Sequence, residues 1–247
     1  MTARIGVVLF PGTNCEHDIV HAVTRMGAEA EILFHDRHDL GGADAVVIPG
    51  GFAHGDYLRT GAIARFSPIM DAVRRHAAAG GPVVGICNGF QVLCEAGMLP
   101  GALQKNAGLR FVCAPVRLRV ETTASVLTSA AEPGQVLRIP VNHFEGNYVC
   151  DPATLERLRA DGRVVLRYLD NPNGSLDDIA GICDEGRNVV GLMPHPERAS
   201  ESILGSTDGV VLLRSLLDAA GAAGAVNATV PASGSASGSM PVVAGSR

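Results

Sequence analysis

Short apolar runs alternate with amphipathic stretches along most of this chain, and that alternation predicts its architecture. Ile5–Phe10, Glu29–Leu33 and Ala45–Ile48 read as strands, while Glu16–Met26 (stopped by Gly27) and Ile69–Ala79 carry apolar positions at helical spacing. Pro82–Ile86 is a further buried strand, and the amphipathic stretch Asn88–Ala96 follows it at once. This strand–helix rhythm predicts an α/β fold with a mostly parallel sheet and helices on both faces. From Arg110 to Val149 the texture changes to β-rich segments with a turn at Glu132-Pro133-Gly134, which predicts a small antiparallel insertion. Asp151–Asp161 predicts a helix, Val164–Leu169, Ile179–Cys183 and Val189–Met193 predict strands, and Gly209–Ala220 predicts a closing helix.

Beyond Gly221 the residues are nearly all Ala, Gly, Ser, Val and Pro, with no charge until Arg247. Such a segment offers little large apolar surface to offset ordering entropy, so 222–247 is expected to be a disordered tail behind one domain, 1–221. At 247 residues and 47% hydrophobic content, the chain suffices for one substantial core. The net charge of −5, without any basic run, argues against nucleic acid and anionic membrane as partners. No signal peptide or long apolar span is expected. Cys15, Cys87, Cys94, Cys113, Cys150 and Cys183 are scattered without CxxC pairs, so neither a zinc site nor a disulfide framework is suggested, and the cytoplasm is the natural compartment.

The densest chemical signal is Val83-Val84-Gly85-Ile86-Cys87-Asn88-Gly89-Phe90-Gln91. An apolar strand breaks into a helix at a cysteine, and glycines stand two positions away on either side. This is the layout of a nucleophile elbow, in which small neighbours let the backbone turn sharply and a substrate approach closely. The helix N-terminus beneath the sulfur favours thiolate over thiol. A thiolate nucleophile needs a base and an orienting group. Both are candidates in Val189-Val190-Gly191-Leu192-Met193-Pro194-His195-Pro196-Glu197, where two prolines fix the backbone around His195. Glu197 leaves an extended chain on the same side as His195 and is placed to hold the ring's other nitrogen.

Chemistry on a carbonyl also needs donors for the oxyanion. Pro49-Gly50-Gly51-Phe52 ends the third strand, and its Gly-Gly pair presents backbone N–H groups unobstructed by side chains; the Asn88 amide, next after Cys87, would be a second donor. Asn142-His143-Phe144-Glu145-Gly146 reads equally well as a substrate-facing loop or a capped turn. His17 and His21 stand at i, i+4 on a helix but lack the glutamate of a zincin, and read as solvated histidines. Neither a Walker-type loop nor a strand-linked GxGxxG is present.

Gly85-Ile86-Cys87-Asn88-Gly89-Phe90-Gln91 together with Pro194-His195-Pro196-Glu197 resembles the class I (triad) glutamine amidotransferases. Within them the chain is similar to the glutaminase subunits of phosphoribosylformylglycinamidine synthase. That likeness runs through Phe10-Pro11-Gly12-Thr13-Asn14-Cys15, Gly50-Gly51-Phe52 with Gly55-Asp56, Asn142–Gly146, Asp170-Asn171-Pro172-Asn173-Gly174-Ser175 and Gly191–Arg198. It covers about residues 4 to 220 in order and departs at Cys15-Glu16-His17 and in the tail. The resemblance implies a flavodoxin-like three-layer sandwich and glutamine hydrolysis by Cys87, His195 and Glu197, with Gly51 and Asn88 as the oxyanion hole. It places Gly50, Gln91, His143 and Phe144 at the glutamine. It further implies a large synthetase subunit that takes the ammonia and itself uses ATP and Mg²⁺, a small third subunit, and no cofactor or metal on this chain. Two alternatives remain beside it: a triad amidotransferase subunit serving another acceptor, and a free-standing cysteine hydrolase of the same fold.

Overall fold

The computed structural model describes residues 2–229. Strands β1 (Arg4–Leu9), β2 (Glu29–Phe34), β3 (Ala45–Ile48), β4 (Val83–Ile86), β6 (Val112–Val120), β7 (Val136–His143), β9 (Val164–Tyr168), β10 (Ile179–Cys183) and β11 (Val189–Leu192) form one nine-stranded sheet in the order β2-β1-β3-β4-β11-β10-β9-β6-β7. From β2 to β11 every pairing is parallel; β10 and β6 alone run the other way, which makes the remaining pairings antiparallel. Helices α1 (Glu16–Arg25), α2 (Ile69–Ala78), α3 (Asn88–Glu95), α4 (Pro152–Ala160) and α5 (Gly209–Thr229) lie between strands or close the chain. The β1–α1–β2 unit steps one way along the sheet and β3–α2–β4 the other. Because such crossovers are right-handed, α1 and α2 fall on opposite faces, the three-layer arrangement expected.

Residue pattern and burial agree strand by strand. β3, β4 and β11 (Ala45-Val46-Val47-Ile48, Val83-Val84-Gly85-Ile86, Val189-Val190-Gly191-Leu192) are buried at every position, as strands covered on both faces must be. In β7 exposed and half-buried residues alternate with buried Leu137, Ile139, Val141 and His143, the signature of one solvated face. The antiparallel segment differs from expectation in one respect. It is joined to the central sheet through the β6–β9 pairing and forms its far edge, while only β5 (Ala102–Gln104) and β8 (Asn147–Val149) stand apart as a two-stranded ribbon. Helix boundaries follow their caps: the Asp151 side chain accepts from Thr154 N at 2.9 Å, with Pro152 at the first helical position.

The closing helix also departs from expectation. It runs through Thr229, past Ala222 where the disordered tail was placed. The physical reason is the alanine content of 219–229, since alanine is the strongest helix former and the first proline comes only at Pro231. The rest of the predicted tail, 230–247, lies outside the described residues. No helix among the described residues is long and apolar enough to cross a membrane.

The sheet order reverses between β1 and β3, and in open α/β sheets the crevice at the carboxyl ends beside such a reversal is where ligands bind. The segments after β1 (Phe10–Cys15), β3 (Pro49–Asp56), β4 (Cys87) and β11 (Met193–Arg198) all emerge there. A backbone bridge between Thr13 and Gly51 ties the first two together.

Candidate active site

Cys87 terminates β4 with φ 51° and ψ −106°, a left-handed backbone that a non-glycine residue adopts only under constraint. The constraint is visible on both sides. Cys87 N donates to Leu192 O at 2.7 Å, and its carbonyl accepts from Phe90 N and Gln91 N in the first turn of α3. Gly85 and Gly89 make room for the turn: a Cβ on Gly85 would lie 2.6 Å from the Gly89 backbone, and one on Gly89 would meet Ile48 O at 1.9 Å. The elbow expected from sequence is therefore formed, with its sulfur at the floor of a cavity of about 200 Å³. That is below the ~300–1,000 Å³ of pockets for drug-sized ligands and suits a molecule of amino-acid size.

The turn after β11 brings His195 and Glu197 to the same place. His195 Nδ1 and Glu197 Oε1 are 2.5 Å apart, both residues fully buried, while His195 Nε2 has no hydrogen-bond partner among the described residues. Burial works against the charged imidazole, but the negative charges of Glu197 and Cys87 outweigh it and hold His195 well above the ordinary histidine range. Cys87 Sγ lies 3.7 Å from Asn142 O and not on His195, which leaves Nε2 free. Cys87 and the charged His195 imidazole thus line one cavity, with the Glu197 carboxylate buried behind the ring.

Gly51 and Asn88 flank the sulfur. The Gly51 N–H has no acceptor among the described residues, since the Thr13–Gly51 bridge uses the amides of Asn14 and Phe52 instead. Asn88 opens α3, so its amide is one of the N–H groups a helix leaves unpaired. Its side chain is fully engaged, accepting from Ala53 N at 3.0 Å and donating to Gln91 Oε1 at 2.8 Å and Asp56 Oδ1 at 3.2 Å. Gln91, His143 and Phe144 line the cavity. Gly50 does not: it is a spacer behind the site, where a Cβ would lie 2.7 Å from His195 Cε1, 3.1 Å from Cys15 Sγ and 3.4 Å from Cys87 Cβ.

The Asn142–Gly146 segment is both things its sequence allowed, a cavity wall and a tightly tied turn. Asn106 accepts from Gly146 N and pairs with His143 Nδ1, each at 3.1 Å, and Asn173 donates to Gly146 O at 2.8 Å. Burial, with the charge of His195, pushes His143 down to about 4, so it stands neutral beside the charged imidazole. His17 and His21 lie elsewhere; His21 pairs with Glu201 at 2.6 Å on the surface.

Residues 2–208 match the family model described as a CobB/CobQ-like glutamine amidotransferase domain. The chain belongs to this family. Curated relatives of the amidotransferase include proteins named phosphoribosylformylglycinamidine synthase subunit PurQ. The one from Rubrobacter xylanophilus is 63% identical over 214 residues, 87% of this chain and 97% of the relative. The one from Mycobacterium bovis is 58% identical over 220 residues, 89% of this chain and 98% of the relative. Among solved structures, a chain of the PurLQS structure from Thermotoga maritima superposes with a TM-score of 0.82 at 42% identity, covering 88% of this chain and 99% of that one.

The amidotransferase site also holds residues that pattern reading passed over. Cys15, Asp56, Glu145 and Arg198 all line the cavity. Asp56 sits in a left-handed turn after β3; its burial, then the charge of Glu145, push its carboxyl up to about 6. With the folded value above the ordinary 3.8, its contribution to stability is whole below pH 4 and is lost as pH rises through 6. Asp56→Asn should therefore stabilise the protein at pH 8, by on the order of 1 kcal/mol once solvent screening is allowed for, and change little near pH 4. Urea unfolding at the two pH values measures this, and an equal gain at both would mean the charge is not responsible.

Proposed function

We propose that this amidotransferase is the glutaminase subunit of phosphoribosylformylglycinamidine synthase and works in the cytoplasm as part of purine biosynthesis. Cys87 adds to the side-chain amide carbon of glutamine, and the Gly51 and Asn88 N–H groups receive the oxyanion. Charged His195 gives its Nε2 proton to the departing nitrogen, which leaves as ammonia, and the glutamyl group stays on Cys87 as a thioester. Water then attacks that carbonyl while His195 takes its proton; the C–S bond breaks, releasing glutamate and restoring the thiolate–imidazolium pair. Glu197 keeps the ring oriented through both halves. The observation that carries this reading is the strained Cys87 elbow facing the buried His195–Glu197 pair across a cavity of amino-acid size.

Ammonia in bulk water is protonated and no longer nucleophilic, so it has to pass internally to an acceptor. The curated relatives' name and the PurLQS structure from Thermotoga maritima support a large synthetase subunit and a small third subunit as the partners. On this reading the synthetase uses ATP and Mg²⁺ to activate formylglycinamide ribonucleotide, which the ammonia converts to formylglycinamidine ribonucleotide. A glutaminase that ran without its acceptor would waste glutamine. A glycine peptide such as Gly51 can turn its N–H toward or away from the oxyanion more readily than any other, and losing one such donor costs about 10²–10³ in rate. Adding synthetase, third subunit and their ligands should raise glutamate release from this chain at least tenfold, roughly 1.4 kcal/mol of barrier. Glutamate measured with and without the partners tests it. Equal rates would favour a free-standing hydrolase, and stimulation without amination of the ribonucleotide would point to a different acceptor.

A further inference from the structure

Cys15 is a buried thiol that glutamine hydrolysis does not use, yet it stands against the hydrolytic machinery. It lies at the end of the loop after β1 and is 2% exposed. It shares the space beside Gly50 with the His195 ring and the Cys87 Cβ. Its sulfur, a nitrogen of His195 and a carboxylate oxygen of Glu197 all lie within 4.8 Å of one another, and all three residues are buried. A thiol, an imidazole and a carboxylate converging in this way make a ligand set for a borderline-soft, tetrahedral cation, which the sulfur binds once its proton has left. One further observation points the same way: Glu197 Oε2 is buried without a partner, so the carboxylate has coordinating capacity beyond its hydrogen bond to His195.

We propose that Cys15, His195 and Glu197 form a binding site for a soft divalent cation of the Zn²⁺ type, and that filling it switches the triad off. Bonds of about 2.0–2.3 Å in a tetrahedral shell put ligand atoms roughly 3.3–3.8 Å apart, so His195 Nδ1 and Glu197 Oε1, now 2.5 Å apart, have to open to admit the ion. Coordination releases the Cys15 thiol proton and the proton shared by His195 and Glu197 to solvent, and the metal takes their place. Arg198 Nη2 donates to Cys15 Sγ at 3.1 Å and has to give way. It is a third exposed and already holds Asp18 at 3.1 Å, so it has an anion to retain when it leaves the sulfur. Occupied in this way, His195 is bound through Nδ1 as a neutral ring: the proton left on Nε2 is no longer that of an imidazolium and is too weakly acidic to pass to the leaving nitrogen, and Glu197 no longer orients the ring. The switching part of the proposal rests on the glutaminase reading; the binding part does not.

The test uses the full chain under reducing conditions. Co²⁺ added to Cys87→Ala should give a tetrahedral visible spectrum with a thiolate-to-metal charge-transfer band, saturating near one metal per chain and lost in the Cys15→Ser/Cys87→Ala pair. Zn²⁺ should inhibit glutamate formation by the assembled complex. Cys15→Ser, compared with its own metal-free rate, should need at least tenfold more Zn²⁺ for half-inhibition. A band that survives loss of Cys15, or equal half-inhibiting concentrations, overturns the proposal; the cobalt arm in Cys87→Ala stands even if Cys15→Ser folds poorly. A cobalt site of this kind in a chain without glutaminase activity would sink the functional reading and leave the metal site in place.

Discussion

Cys87→Ala should abolish glutamine-dependent amination by the assembled complex, by a factor of about 10⁵, while ammonia-dependent amination stays within about twofold. The size follows from what the side chain does. Without the sulfur no thioester forms, and members of a triad act as a unit, so removing the nucleophile alone costs nearly as much as removing all. The selectivity follows from where it sits. Cys87 lines the glutamine cavity, whereas added ammonia enters the reaction after that cavity has done its work. Amination rates with glutamine and with an ammonium salt, on the same preparation, settle the matter. Retained glutamine-dependent turnover, or capture of a glutamine-like alkylating agent by a different cysteine, would remove Cys87 from its place. Cys94 is the natural comparison: two turns along the same helix, burial first and then the Glu95 charge hold its thiol well above the ordinary range, so it is inert as a nucleophile.

Much of this site was readable because its chemistry coincides with local backbone rules. The apolar run of β4 ending at Cys87, with Gly85 and Gly89 around it, determines strand, turn and helix within a few residues. The prolines around His195 do the same after β11. Cys15, Asp56, Glu145 and Arg198 were not readable in that way, because no local rule marks them. They come from the loops after β1, β3, β7 and β11, and only the sheet order brings those loops together. Cys15 closes the Phe10-Pro11-Gly12-Thr13-Asn14-Cys15 stretch that carries the family resemblance, and the sheet order places that loop beside the reversal where an α/β sheet binds ligands. Spacing between cysteines carries no information about the cluster of Cys15, His195 and Glu197, which distant parts of the chain bring together.

The same division runs through the fold. Each strand from Ile5 to Met193 could be placed from its own residues, but the partner of β6 could not. Whether Val112–Val120 forms a separate ribbon or an extension depends on β9 offering a free edge, and that is a property of the assembled sheet. At the carboxyl end, low complexity predicts disorder whereas the alanines within it favour helix, and α5 follows them to Thr229.

Gly89→Ala should be the most damaging single-methyl change in the chain, costing about 3–5 kcal/mol of stability and eliminating glutaminase activity even in the fraction that folds. The added Cβ would lie 1.9 Å from Ile48 O and 2.7 Å from its carbonyl carbon, deep inside van der Waals contact with a buried backbone. A flexible side chain could rotate away, but a carbonyl in β3 is held by the sheet, in which β3 and its neighbour β4 are buried at every position. Relief therefore has to come from α3 lifting off β3. That movement carries the Asn88 amide and the Cys87 carbonyl with it, since Phe90 N and Gln91 N hang from Cys87 O. Overpacking of a rigid core commonly costs 1–3 kcal/mol, and the absence of any movable neighbour puts this site at or beyond the top of that range. Gly108→Ala is the matched control, because its added Cβ meets nothing within 4 Å, and its stability should stay within about 0.5 kcal/mol of the parent. Urea unfolding of the two variants, with glutamate release measured on each, decides between a helix that is wedged against its sheet and one that is loosely laid on it. If Gly89→Ala unfolds like Gly108→Ala and still releases glutamate, the close approach of α3 to β3 does not set the geometry of the elbow.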